Sequence, residues 1–145
     1  MPIIDRSRYA SAEGLRWGAY VLADPEDGDP EVILIATGSE VSLAVAAHEK
    51  LIGDGVRSRV VSMPSWELFE RQEESYRDEV LPPSITARVS IEEASTLGWD
   101  QFVGPQGATI GMHTFGSSAP LKDVQTKFGF TPDKVAETAK EVLGR

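Results

Sequence analysis

The chain has 145 residues and a formal net charge of −9, because 23 acidic residues outweigh 14 basic ones. This length fits one domain, and 41% hydrophobic with 26% charged residues is an ordinary globular composition. The acidic balance disfavours nucleic acid and anionic membrane surfaces as partners, and the absence of cysteine excludes disulfides and thiolate chemistry.

Two further absences in the sequence bear on localisation. No apolar run approaches the ~18 residues that a membrane span needs. The N-terminal residues Met1–Arg6 lack the apolar segment of a signal peptide. Together with the missing cysteines, which suit a reducing compartment, these features predict a cytoplasmic protein.

The first predicted elements are an arm and a short strand. Residues 1–16 are charged and aperiodic around Asp5–Tyr9, and we expect them to form a connecting arm from a preceding domain. Residues 17–145 are then expected to form a single α/β domain. Ala19–Ala23 predicts a short strand, and the Pro, Gly and Asp residues over 24–30 predict a turn.

A strand–helix–strand unit follows. Val32–Ala36 is continuously apolar, which is typical of a strand covered on both faces in a parallel sheet. The next helix begins at a Thr37-x-x-Glu40 capping box, with Ser39 as a second candidate cap, and ends at Gly53–Gly55. Arg59–Met63 predicts the second strand, so the unit should be a right-handed parallel crossover.

Ser65 is predicted to cap a helix that opens at Trp66. The six acidic residues between Glu67 and Glu79 are interspersed with apolar ones, and we interpret them as a solvated helical face. Thr86–Glu92 alternates strictly between apolar and polar residues, which predicts a strand buried mainly on one face.

The C-terminal third predicts further elements of both kinds. They are a short helix over Trp99–Phe102, a strand over Ala108–Met112, a helix from Pro120 with Leu121, Val124 and Phe128 inward, a left-handed Gly129 with Phe130 packing back, and a last helix capped by Thr131 with Pro132 at its first position. The element order predicts a three-layer αβα fold with a mostly parallel sheet.

The turn after Val32–Ala36 is the best local candidate for a ligand site. Ligands of open α/β sheets bind at the carboxyl ends of strands, where a helix N-terminus offers free N–H groups. This argument selects Thr37, Gly38 and Ser39 as candidate effector-binding residues. The competing interpretation is a self-capped helix start, because Glu40 already places a carboxylate where a phosphate would bind.

Other residues offer little reactive chemistry. The sequence has no phosphate-binding P-loop, dinucleotide fingerprint or nucleophile elbow. His48 lies on the apolar stripe of the first helix and is interpreted as a packed histidine. His113 follows the last strand, where it could hydrogen-bond, form an interface or serve a free-standing enzyme. No nucleophile–base–orienter set supports the enzyme. We expect no catalytic, cofactor-binding or metal-ligating residue in this segment.

The loop after the last predicted strand completes the candidate surface. Its small residues around one phenylalanine suit either a plain connection or close approach by another backbone, and the candidate interface residues are His113, Thr114, Phe115, Gly116, Ser117 and Ser118. The three tryptophans, Trp17, Trp66 and Trp99, are interpreted as core or interface anchors.

Several segments in register carry a family resemblance. They are Ala36–Glu40, Arg59–Ser65, Val80–Pro82, Thr86–Arg88 and Gly111–Pro120. In order and spacing, along essentially the whole chain, they resemble the C-terminal domain of transketolases. The resemblance implies a five-stranded, mostly parallel sheet in a Rossmann-like three-layer domain.

The resemblance also implies a parent activity. Transketolases are homodimers that use thiamine diphosphate and a divalent metal such as Mg²⁺. They transfer a two-carbon ketol unit between sugar phosphates in the pentose phosphate pathway. Their cofactor and substrate residues belong to the first two domains, so none can be carried over to this chain. The resemblance therefore implies a structural and interaction domain, inactive alone, that packs against catalytic domains of the same polypeptide. The alternative is a regulatory module that binds a small molecule.

Overall fold

The part of the chain that the structure describes contains five strands and five α-helices. The computed structural model describes residues 3–112, 123, 126 and 129–145. The strands are β1 (Tyr20–Ala23), β2 (Val32–Ala36), β3 (Ser58–Ser62), β4 (Arg88–Ser95) and β5 (Ala108–Met112). The helices are α1 (Glu40–Gly53), α2 (Trp66–Glu70), α3 (Glu74–Val80), α4 (Asp100–Val103) and α5 (Pro132–Val142), and a 3₁₀ helix (Ala12–Trp17) precedes β1.

The five strands form one mixed sheet in the order β1-β3-β2-β4-β5. Neighbours pair in parallel except β1, which runs antiparallel to β3 and places Tyr20 opposite Ser62. Strand β2 pairs with β3 from Val32 opposite Ser58 to Ala36 opposite Ser62. The predicted five-stranded, mostly parallel fold is therefore confirmed.

Strand β2 is covered on both faces because it lies at the centre of the sheet. All five of its residues are fully buried. Leu34 packs into an apolar cluster that includes side chains of α1 and α5, whereas Ile33 and Ile35 pack into a second cluster with residues of α2, α3 and α4. Full burial of each large aliphatic side chain contributes about 1.5–3 kcal/mol. The two clusters define the three layers.

Strand β4 follows its predicted burial except at Ser90. The alternation over Thr86–Glu92 predicted burial mainly on one face, but β4 lies inside the sheet between β2 and β5, and Ser90 is fully buried. The polar face is satisfied by internal partners, because Ser90 Oγ lies 2.9 Å from Thr109 Oγ1 and the carboxylate of Glu92 accepts from Trp99 Nε1. The prediction of burial mainly on one face is confirmed by Ala87, Val89 and Ile91, and Ser90 is the exception because a paired polar group can replace solvent on a strand face.

The helix termini that carry capping side chains match the sequence pattern at two places. Ser65 Oγ accepts from Leu68 N at 3.3 Å at the start of α2, and Thr131 Oγ1 accepts from Lys134 N at 3.2 Å at the start of α5. Both cap residues have the extended backbone that such caps require. The acidic run is divided between α2 and α3, and all six acidic side chains are exposed, as predicted.

The N-terminal arm packs on the sheet. Ile4 and Tyr9 contact the cluster formed with α1 and α5. Arg6 Nη1 donates to Ala10 O at 2.6 Å and lies 3.3 Å from the hydroxyl of Tyr20. The expected role of residues 1–16, a connection from a preceding domain, stays a prediction. The helix predicted from Pro120, including Leu121, Val124 and Phe128, lies outside the described residues.

Candidate functional site at the carboxyl edge of the sheet

The loops that follow the parallel strands gather at one edge of the sheet, here called the carboxyl edge. Parallel strands end together, so the segments after β2, β3 and β4 lie side by side. Because β1 is antiparallel to β3, its beginning and the preceding 3₁₀ helix lie at this edge too. Ligands of open α/β sheets bind at the same edge.

The turn between β2 and α1 is closed by backbone groups. Glu40 N donates to Thr37 O at 3.2 Å, and Val41 N donates to Gly38 O at 3.4 Å. Gly38 has φ +58°, which a residue with a side chain adopts only at a cost. This geometry places the predicted effector residues Thr37, Gly38 and Ser39 in one tight turn.

The predicted hydroxyl capping of α1 is wrong. The N-terminal residue Ser39 already has helical backbone, with φ −68° and ψ −24°, and makes no capping bond. Its hydroxyl donates to the Glu40 carboxylate instead. A capping hydroxyl requires extended backbone to reach the N–H groups of the first turn, and the helical backbone of Ser39 lacks that geometry.

Glu40 places a buried carboxyl group at the start of α1. Burial raises the pKa of Glu40, the hydrogen bond from Ser39 opposes the rise, and the charge of Glu93 adds to it. The backbone N–H groups of Glu93 and Glu40 also oppose the rise in the pKa of Glu40. A second anion would be repelled here, so Thr37, Gly38 and Ser39 stay a predicted effector site whose surroundings disfavour phosphate.

Two clefts flank Pro64 at the carboxyl edge, each with a volume of about 420 Å³. The first separates the N-terminal arm from the α1 turn and includes Gly38 and Ser39 in its lining. The second includes Thr37, Trp66 and Trp99. The turn therefore contributes to both clefts, and an occupant of either would contact it.

An aromatic cluster supports the second cleft. Trp66 and Trp99 pack edge to face with ring centroids 5.0 Å apart, and Phe102 lies 5.5 Å from Trp66. Trp99 is fully buried, while Trp17 is 43% exposed and packs 5.6 Å from the ring of Tyr76. Trp99 is thus confirmed as a core anchor, whereas an interface role for the exposed Trp17 stays a prediction.

Exposed apolar side chains concentrate at the carboxyl edge. Among the described residues, five of the six large hydrophobic side chains that are exposed lie there, namely Ile3, Leu15, Trp17, Leu68 and Leu97. Leu97, in the turn after β4, is 83% exposed. The sixth, Ile52, lies near the end of α1 at the opposite edge. Their location at one edge makes this edge a candidate contact surface.

Of the two histidines, only His48 lies among the residues that the structure describes. His48 is buried on α1, and its Nδ1 lies 2.7 Å from Ser58 Oγ, so the predicted packed histidine is confirmed. Burial lowers the pKa of His48, while Glu49 raises it in part. His113 and the candidate interface residues Thr114, Phe115, Gly116, Ser117 and Ser118 lie outside the described residues.

Neither metal binding nor membrane insertion finds support in the described ranges. No three histidine, aspartate or glutamate side chains converge there in a way that could hold a metal ion. No helix within those ranges is both long and apolar enough to traverse a bilayer.

The fold defines a class, namely a three-layer α/β domain with a mostly parallel sheet. Residues 18–131 match the family model of the transketolase-like TK C-terminal domain. The chain therefore belongs to the family of transketolase C-terminal domains, which confirms the resemblance carried by its motifs.

Individual relatives agree with this assignment. The chain is 45% identical over 145 residues to transketolase from Geobacillus stearothermophilus, covering all of the chain and 22% of that protein. It is 54% identical over 126 residues to transketolase 1 from Escherichia coli K12, covering 87% of the chain and 19% of that protein. The structure of transketolase from Leishmania mexicana superposes with a TM-score of 0.83 at 42% identity, covering 94% of this chain and 19% of that one. The chain spans about a fifth of the length of these relatives.

Proposed function

We propose that this chain acts as the C-terminal docking domain of a transketolase. The complete enzyme would be a cytoplasmic homodimer that transfers a two-carbon ketol unit between sugar phosphates in the pentose phosphate pathway. Family membership supports the parent activity, and the fifth of the relatives' length that the chain spans supports a partial role. Its partners would be catalytic domains of the same polypeptide.

The cofactors of the proposed enzyme would be thiamine diphosphate and a divalent metal such as Mg²⁺. The described residues do not fit this pair, because no convergent set of metal-ligating side chains is found among them, and the buried Glu40 and its neighbour Glu93 disfavour a diphosphate at the α1 turn. We therefore assign no chemical step to this chain and expect it to be inactive alone.

One observation carries the docking proposal, namely the exposed apolar side chains at the carboxyl edge. Leu68 on α2 and Leu97 after β4 come from segments far apart in sequence, yet the parallel topology brings them to one edge. Contact with a partner would remove these side chains from water, at about 25 cal/mol per Å² of apolar surface. An aspartate placed there would instead require desolvation of a charge on docking.

The proposal is tested in a chimaera in which this chain replaces the matching C-terminal segment of Escherichia coli transketolase 1. We expect a dimeric chimaera that transfers ketol units when thiamine diphosphate and Mg²⁺ are supplied, whereas the 145-residue chain alone shows no transfer. We expect Leu68→Asp to lower the specific activity of the chimaera. We also expect it to speed cleavage at the junction between the two segments in limited proteolysis.

Ile52→Asp provides a matched control. Ile52 and Leu68 are 41% and 40% exposed, but they lie at opposite edges of the sheet. The control chimaera should keep full activity. Equal losses from both substitutions would contradict docking through the carboxyl edge, and ketol transfer by the chain alone would contradict a purely docking role.

A further inference from the structure

A half-buried guanidinium stands at the other edge of the sheet, where the parallel strands begin. Arg88 is the first residue of β4, and four of its N–H groups donate to backbone carbonyl oxygens. Nε binds Ile85 at 2.8 Å, Nη1 binds Phe102 at 2.8 Å, and Nη2 binds Pro82 at 2.8 Å and Leu81 at 3.3 Å. A guanidinium has five N–H donors, so one donor on Nη1 has no partner among the described residues.

This positive charge has no carboxylate partner in the described part of the chain. The ion pairs found there all involve other cations. Burial alone lowers the pKa of Arg88, with no charged neighbour contributing. Carbonyl oxygens offer only partial negative charge, so the desolvated cation is left without a counter-ion.

A cavity of about 210 Å³ opens beside the guanidinium. Thr86 and Gln106 bring an exposed hydroxyl and an exposed amide to its lining, and no glutamate or aspartate among the described residues borders it. The remaining wall is provided by Pro83, Val103, Gly104 and Pro105. The volume is below the ~300–1,000 Å³ of sites for whole drug-sized ligands, so it suits a single charged head group.

We propose that this cavity binds a small oxyanion, a phosphate or a carboxylate group, on Arg88 with Thr86 and Gln106 as supporting donors. Arginine suits such groups because its guanidinium remains charged, and the N–H of Nη1 that has no partner among the described residues can donate one charge-assisted hydrogen bond to an oxygen atom of the anion. The site lies across the sheet from the docking surface, so it stands independently of the proposed function.

The test is a titration of the ¹⁵N-labelled 145-residue chain with inorganic phosphate at constant ionic strength, followed by amide and Arg88 Nε–H chemical shifts. A second titration uses acetate. We expect saturable shifts confined to residues 83–88 and 103–107. Saturation at lower phosphate than acetate concentration identifies a phosphate site, and the reverse identifies a carboxylate site.

Variants of exposed residues distinguish an anion-binding role of Arg88 from a purely structural one. Because Arg88→Gln also removes hydrogen bonds that the fold uses, Thr86→Val and Gln106→Leu are the informative changes. A hydrogen bond to a charged group corresponds to about a tenfold change in affinity, so each variant should bind about tenfold more weakly. Gln101→Leu, at an exposed glutamine outside the cavity lining, should bind normally.

Three results would overturn the proposal. They are shifts that rise linearly without saturation for both anions, shifts centred on other basic residues, and affinities that Thr86→Val and Gln106→Leu leave unchanged. Any of them would show that Arg88 only ties the start of β4 to the neighbouring loops through its carbonyl bonds.

Discussion

Ile35 tests whether β2 is the covered centre of the sheet. The side chain is fully buried and packs with Val61, Met63 and Trp99. Ile35→Ala removes three carbons, which at about 0.8 kcal/mol each corresponds to about 2.4 kcal/mol of lost transfer free energy. The residual cavity adds to this loss. We therefore expect the free energy of unfolding to fall by about 3–5 kcal/mol.

The assay is urea unfolding followed by tryptophan fluorescence, with Ile52→Ala as the matched control. Ile52 loses the same three carbons but is 41% exposed, so its cost should stay at about 1 kcal/mol or less. At about 3 °C per kcal/mol for a domain of this size, Tm should fall by about 9–15 °C for Ile35→Ala. Equal costs at Ile35 and Ile52 would refute the two-sided burial of β2.

Four further predictions concern protonation at two sites, backbone packing and capping. The pKa of His48 is lowered from 6.5, so the unfolded chain binds more protons than the folded one, and the free energy of unfolding should fall as pH drops below 6.5. In urea unfolding at several pH values, His48→Gln should weaken this dependence of the free energy of unfolding on pH. The pKa of Glu40 is raised from 4.5, so the folded chain binds more protons than the unfolded one, and the free energy of unfolding should fall as pH rises above 4.5. Glu40→Gln should remove this loss. Gly107→Ala should lower Tm or prevent folding, since a Cβ there would lie 2.7 Å from a backbone carbonyl oxygen and closer still to another; an unchanged Tm would contradict this packing. Thr131→Ala should cost about 1 kcal/mol in calorimetry by removing the cap of α5, and Thr131→Ser should restore it.

The elements that were predictable from sequence are those whose local pattern and tertiary environment agree. Val32–Ala36 is continuously apolar and both of its faces are buried, so pattern and burial coincide. Thr131 followed by Pro132 specifies a helix start that needs no distant partner. These segments could be placed within a residue or so from composition and spacing alone.

The sequence pattern was misleading for the burial of Ser90 and the capping role of Ser39, because the surrounding structure decides both. Ser90 looks like a solvent-facing residue in an alternating strand, but its hydroxyl is paired with Thr109, which belongs to another strand. Ser39 resembles a cap in sequence, but Gly38 closes the turn so tightly that the serine is already helical. A local pattern shows which side chains are polar, but the topology determines whether water or protein groups form their hydrogen bonds.

The two candidate surfaces could hardly be predicted from the sequence, because the fold brings together residues from separate segments. Leu15, Leu68 and Leu97 lie in three separate segments, and only the sheet order gathers them at one edge. The Arg88 cavity likewise depends on the loop before β5 approaching the start of β4. The available signal was weak: an arginine in an alternating strand with no acidic residue at a neighbouring position.

Hydrogen exchange measured by mass spectrometry tests docking through the carboxyl edge most directly. Exchange would be compared between the 145-residue chain alone and the same chain within the transketolase chimaera. We predict that assembly protects peptides covering residues 12–17, 66–70 and 95–98, while peptides covering residues 50–56 exchange as in the free chain. Protection of residues 50–56 with an unchanged carboxyl edge would contradict the account.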